Sequence, residues 1–138
     1  MRPSKPEGEE DCSARSDEIA RQKLNEVNVA LRALHKVLID TVRREYEREH
    51  GPIGGPGALL HLLMEDLFFS WLRPMSRSMV EMDELAEEPT PPEPIRMAGL
   101  RERIEGMIAS ERYLSLLQSS PEVAMAHTAL RKTVAALA

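Results

Sequence analysis

Residues 59–85 read LLHLLMEDLFFSWLRPMSRSMVEMDEL and hold both phenylalanines, the only tryptophan and four of the eight methionines of the 138-residue chain. Apolar residues recur there in steps of three and four, the spacing of one face of an α-helix. We therefore predict a helix over residues 58–86 as the core element that the other helices cover. Pro74 lies inside the pattern and removes a backbone hydrogen bond, so a kink is predicted there.

The segment before this helix predicts a disordered tail and one long helix. Residues 1–15 are mostly Pro, Gly, Ser and charged residues with little to bury, so disorder is expected. Apolar residues then recur at helical spacing over residues 17–49, with Ser16 as the expected N-cap. Residues 51–57, GPIGGPG, lack the Lys-Ser/Thr pair of a phosphate-binding loop and are predicted to connect two helices.

Two shorter helices are predicted after a proline-rich connector, EEPTPPEP, at residues 87–94. The third covers residues 95–118, and the fourth follows Ser120–Pro121, a residue pair typical of a helix start. No segment alternates apolar and polar residues as a strand would. The prediction is an all-α fold, an antiparallel (up-down) four-helix bundle with two long and two shorter helices, in a single domain over residues 16–138.

Composition and charge exclude several partners and locations. The net charge of −5 argues against general nucleic-acid binding, which needs a basic surface. The apolar-rich run at residues 58–72 is interrupted by charge and is too short to span a bilayer, so no membrane partner is expected. The N-terminal residues lack the apolar core of a secretory signal, and the single Cys12 fits a reducing compartment. We therefore predict a cytoplasmic protein.

The predicted helices differ in length, which leaves apolar surface on the long pair uncovered. At 1.5 Å per residue the long helices measure roughly 45 to 50 Å and the fourth roughly 27 Å. Exposed apolar surface of this kind is unusual for a monomer. A homodimer is predicted, with an unidentified protein partner as the other possibility.

Catalytic signatures are missing from the sequence, so a non-enzymatic protein without a cofactor is predicted. There is no Gly-x-Ser-x-Gly motif and no dinucleotide-binding or Walker motif. Cys12 lies in the polar tail and has no fixed histidine partner that would activate it as a nucleophile. The preferred function is a protein-interaction or structural module.

An alternative function is metal or small-ligand binding at one end of the bundle. The helical rise puts His61, Glu65, Glu111 and His127 at a similar depth in an antiparallel bundle. Two imidazoles and two carboxylates would suit Fe, Mn or Zn. The simpler interpretation is that each histidine makes an ordinary hydrogen bond, and that Glu65 pairs with His61 or Arg43.

Two resemblances add expectations about the fold. LLHLLMEDLFFSWLRPMS at residues 59–76, with Asp83-Glu84 and SPEVAMAH at residues 120–127, resembles a set of small uncharacterised bacterial proteins. This resemblance extends over most of residues 20–137 and implies a stand-alone, cytoplasmic, all-α domain. The His61 and Glu65 pair in HLLMED also resembles helix B of hemerythrin-like proteins, although no second His-x-x-x-His pair occurs in the third helix.

Overall fold

The computed structural model describes the backbone of residues 7–137 and the side chains of residues 14–137. Within that part of the chain the fold is entirely helical, which confirms the all-α prediction. The four-helix count is not confirmed. The elements are α1 Glu7–His50, α2 Pro56–Glu65, a 3-10 helix Leu67–Leu72, α3 Arg73–Glu87, α4 Pro94–Met107, α5 Glu111–Ser119 and α6 Pro121–Ala135.

Helix α1 is the central element, not the 59–85 stretch that the sequence suggested. It packs along α3 on one side and along α6 on the other. Its buried face follows the predicted steps of three and four: Leu24, Val27, Leu31, Leu34, Leu38 and Val42. Because one helix contacts two neighbours along most of its length, its stripe is wider than that of a two-helix pair.

The first helix begins earlier than predicted. It starts at Glu7, so Ser16 lies inside the helix and not at its N-cap. The disordered tail predicted for residues 1–15 therefore overlaps a helical segment from Glu7 onward, while residues 1–6 lie outside the described part of the chain.

The predicted second helix is divided in two at Asp66. This residue has an extended backbone (φ −85°, ψ 137°), and its side chain accepts a hydrogen bond of 2.8 Å from the Phe68 N–H. The 3-10 helix follows, and α3 begins at Arg73. Pro74 therefore occupies the first turn of a new helix, where its missing N–H removes no intrahelical hydrogen bond. The kink predicted at Pro74 is wrong, because the chain already leaves the helix at Asp66.

The predicted third helix is also two helices, and the fourth starts where expected. Helix α4 ends at Met107, and the Ser110 hydroxyl accepts a hydrogen bond of 3.3 Å from Tyr113 N–H at the start of α5. Ser120 does the same for α6, accepting from the Val123 N–H at 3.3 Å. The Ser120–Pro121 start signal is confirmed.

Polar contacts fix the directions of α1, α3 and α4. Arg21, near the start of α1, donates to the carbonyl of Glu88 at 3.0 Å, whereas Arg32 pairs with Asp83 further back in α3. The two helices are therefore antiparallel. Helix α4 returns along α3 in the opposite sense, since Arg96 lies 3.3 Å from Glu88 and Arg103 lies 2.5 Å from Glu81.

Candidate functional site

Most aromatic side chains of the protein meet at one corner, where the end of α1 contacts the 3-10 helix. The ring centroids of Tyr46, Phe68 and Phe69 lie 5.5 to 5.6 Å apart, and the His50 ring stacks on Tyr46 at 4.4 Å. Phe69 is fully buried, so this cluster joins the 3-10 helix to the core. The 3-10 geometry places Trp71 beside it at the surface of the domain.

Arg112 of α5 closes this corner. Its guanidinium carbon lies 5.9 Å from the centre of the Phe68 ring and 5.8 Å from that of Trp71, distances at which a cation is attracted to an aromatic face. The same guanidinium pairs with Glu45 of α1. Arg112 therefore links Glu45 of α1 to the aromatic rings of the 3-10 helix.

Trp71 borders two surface cavities of different character. The first, of about 880 Å³, is lined by Glu45, Arg48, Glu49 and Arg112 together with the aromatic corner. The second, of about 680 Å³, lies between α3 and α4 and has Pro74, Met75 and Met107 in its walls. The first cavity combines four charged side chains with apolar and aromatic ones, whereas the second is mainly apolar.

The indole N–H of Trp71 is buried and has no hydrogen-bond partner among the described residues. Leaving a buried donor unpaired costs on the order of 1–3 kcal/mol. Such a cost is uncommon in a folded protein and often marks a position that a ligand, a water molecule or a partner satisfies.

Helix α2 is the second unusual feature, because none of its ten residues is buried although it is rich in leucine. Leu62 and Leu63 are half-buried against the core. Leu60 and Met64 are 57% and 62% exposed, and Leu67, just beyond the helix, is 85% exposed. The sequence predicted that this segment would be covered on several sides, but its main neighbour in the structure is the 3-10 helix, and its side chains are half-buried at most.

Arg73 attaches the end of α2 to the start of α3. Its Nε donates to the carbonyl of Leu63 and its Nη2 to the carbonyl of Asp66, both at 3.1 Å. These carbonyls lie at a helix end, where intrahelical donors are missing. The orientation of α2 therefore depends on one side chain from another helix.

The structure does not bring together the four predicted metal ligands. His61, Glu65 and Glu111 are exposed, and His127 is half-buried with its Nδ1 2.7 Å from the Tyr113 hydroxyl. Over the described residues, no three His, Cys, Asp or Glu side chains are grouped so that they could hold a metal ion. The similar depth inferred from the sequence assumed two unbroken helices, whereas α2 ends at Glu65 and α5 starts at Glu111 as a separate helix.

The other histidines and Arg43 each have a polar partner, which for His35 lies on a different helix. His35 Nε2 lies 2.9 Å from the Ser76 hydroxyl, and His50 Nδ1 lies 3.3 Å from the Tyr46 carbonyl. Arg43 pairs with Glu47 at 2.8 Å and not with Glu65 as the sequence suggested.

Burial shifts three of the titrating groups. It lowers the pKa of His35, and the charge of Arg32 lowers it further. The pKa of His127 is lowered by burial and by Arg131, while burial raises the pKa of the Tyr113 hydroxyl. Tyr113 therefore keeps its proton and can donate it to the neutral His127 ring. This pair has the properties of a structural hydrogen bond between α5 and α6.

The sequence contained partial signals for these features. Residues 59–85 stand out in the sequence because they hold the only tryptophan and four of the eight methionines. In the structure Met75 and Met82 are buried and Met79 is half-buried against the core. The unpaired indole N–H and the lack of burial in α2 depend on tertiary packing, so no local pattern could have revealed them.

Comparison of the chain with protein-family models, with curated proteins and with solved structures finds no match. The resemblance to small bacterial proteins therefore stays a prediction. Among residues 7–137, no helix is both long enough and apolar enough to cross a bilayer.

Proposed function

We propose that the protein is a non-enzymatic interaction module that forms a homodimer through the exposed face of α2. The observation that carries this proposal is the lack of any buried residue in this leucine-rich helix. The cytoplasmic location, the bacterial origin and the bundle-like packing predicted from the sequence belong to the same proposal.

The exposed apolar residues of α2 and its end form a small seam of three side chains. Leu60 and Met64 lie four residues apart on one face of α2, and Leu67 is exposed just beyond the end of the helix. Burying these three side chains against a partner would stabilise the complex by about 25 cal/mol for each Å² of apolar surface covered. Covering the seam is therefore favourable.

A second copy of the chain fits this seam better than a charged partner. Within α2 the ionisable side chains are His61 and Glu65, so the face offers few charges that would select an oppositely charged surface. Two identical apolar faces can instead pair about a two-fold axis, the commonest symmetry of soluble homo-oligomers. Met64 in the seam has a flexible side chain that can adapt to the opposing face of the second copy.

Light scattering during size-exclusion chromatography tests the proposal. The expected result is the mass of two chains for the parent protein and of one chain for Met64→Glu, because the glutamate would be buried without a partner in the dimer. Met125→Glu is the matched control, since Met125 is 75% exposed on α6 and outside the seam. This control is expected to remain dimeric.

Two results would overturn the proposal. One is a single-chain mass for the parent at every concentration measured. The other is that Met64→Glu and Met125→Glu dissociate the dimer equally, which would mean that the α2 seam is not its specific interface. A circular-dichroism spectrum of each variant checks that it is folded.

A further inference from the structure

We propose that the cavity of about 680 Å³ between α3 and α4 binds a small molecule with an apolar body and one anionic head group, such as a medium-chain carboxylate. This site is distinct from the α2 seam and does not depend on the proposed dimer.

The size and walls of the cavity suit an apolar body. Small-molecule pockets are typically about 300–1,000 Å³ and mostly apolar. Trp71, Pro74, Met75 and Met107 line this one, so it offers one aromatic ring and two flexible thioether side chains. Methionine adjusts to irregular apolar shapes, which favours a flexible chain over one rigid shape.

The charges at the cavity favour an anion. Arg103 and Glu81 line it as an ion pair at 2.5 Å and neutralise each other. Arg77 also lines it and is exposed, and it forms no ion pair with the side chains that the structure describes. One positive charge is therefore left at the rim, where it can bind a carboxylate through paired N–H donors.

One buried polar group lies at the same cavity. Ser78 is the one buried polar residue among the described side chains, and it lines this cavity. Its hydroxyl can donate a hydrogen bond to an oxygen-bearing ligand, while the Trp71 ring adds apolar wall for the rest of the ligand.

The single tryptophan provides a probe at the site. Titration with decanoate, kept below its micelle concentration, is expected to change the Trp71 emission to saturation, and isothermal titration calorimetry should give the same affinity. The neutral 1-decanol is expected to bind at least about tenfold more weakly, which corresponds to 1.4 kcal/mol.

Two variants locate the binding. Arg77→Gln is expected to weaken decanoate at least about tenfold and to leave decanol unchanged, whereas the exposed Arg44→Gln on α1 changes neither. Gly106→Leu adds a bulky side chain at the wall of the cavity, and no clash with the fold is expected because a Cβ added at Gly106 meets no atom within 4 Å. It is expected to abolish binding without unfolding α4, while Ala98→Leu, at an exposed position of α4, retains it.

Three outcomes would overturn the proposal. If neither fluorescence nor calorimetry gives a saturable signal, this class of ligand is excluded. Equal affinity for decanoate and decanol excludes the anionic head group. Binding that survives Gly106→Leu but is lost in Met64→Glu would assign the ligand to α2 and not to this cavity.

Discussion

At the scale of single residues, three short polar side chains decide where the helices begin. Asp66, Ser110 and Ser120 each accept a hydrogen bond from a backbone N–H in the first turn that follows. Such a bond satisfies a donor that the helix itself cannot, and losing it typically costs about 1 kcal/mol. These three local contacts mark the starts of the 3-10 helix, α5 and α6 within an apolar pattern that runs over residues 58–135.

His35 makes the stability of the fold depend on pH. Burial and Arg32 lower the pKa of its imidazole below the ordinary value of 6.5. Above that value the ring is neutral in the folded and the unfolded chain. As the pH falls below it, the unfolded chain takes up a proton more readily than the folded one, so the free energy of unfolding falls until the folded pKa is passed.

Replacing His35 by Gln is expected to flatten this dependence, because glutamine can still bond the Ser76 hydroxyl but does not titrate. Urea unfolding of the parent and of His35→Gln at about pH 7.5 and about pH 5.5 measures the difference. His61→Gln, which removes an exposed imidazole, is the matched control. An unchanged pH dependence in His35→Gln would contradict the assignment to His35.

At the scale of helices, the sequence predicted the helix that starts at a recognisable residue pair. It missed the breaks across which the apolar residues keep their helical spacing. The start of α6 was predictable, because Ser120 as N-cap and Pro121 in the first turn are residue types typical of a helix start. The 3-10 helix after Asp66 still places Phe69 and Leu72 in the core, so the steps of three and four continue across the break. Periodicity alone cannot distinguish one long helix from two helices joined in phase.

The site was less predictable than the helices, because it depends on contacts between distant residues. The sequence shows that the segment around Trp71 is rich in aromatic residues. It does not show that Arg112 of α5, which is distant in the sequence, packs over the Trp71 ring. The proposed metal ligands are not grouped among the described residues. Their similar depth was inferred from unbroken helices, whereas α2 ends at Glu65 and Glu111 begins a separate helix, α5.

Helix α2 is expected to be the least protected helix of residues 56–135, because none of its residues is buried and Arg73 bonds the Leu63 carbonyl near its end. Arg73→Leu removes the hydrogen bonds to the carbonyl of Leu63 in α2 and to that of Asp66 just beyond it. Amide hydrogen exchange in α2 should then accelerate by about tenfold or more, with little change in α6. Arg101→Leu, which breaks a surface pair with Glu105, is the control. Equal acceleration in α2 and α6 would indicate general destabilisation and contradict the local role of Arg73.

At the scale of the whole molecule, α1 connects parts of the fold that hardly touch each other. Helix α3 packs on one of its sides and α6 on the other. Leu34 lies in the middle of its buried face and is fully excluded from solvent. A cavity at this position would weaken packing towards both neighbours at once, because the core cannot collapse fully around it.

Leu34→Ala is therefore expected to lower the free energy of unfolding by about 2–5 kcal/mol in one cooperative transition. Urea unfolding followed by circular dichroism reports all helices, while Trp71 emission reports the aromatic corner. The two curves should coincide in the parent and in the variant. Leu60→Ala removes a leucine that is 57% exposed and is expected to have a far smaller effect on a chain kept at low concentration. Separate transitions for the two probes would mean that the aromatic corner around Trp71 and helix α6 do not unfold together through α1. The protein would then unfold in two independent parts.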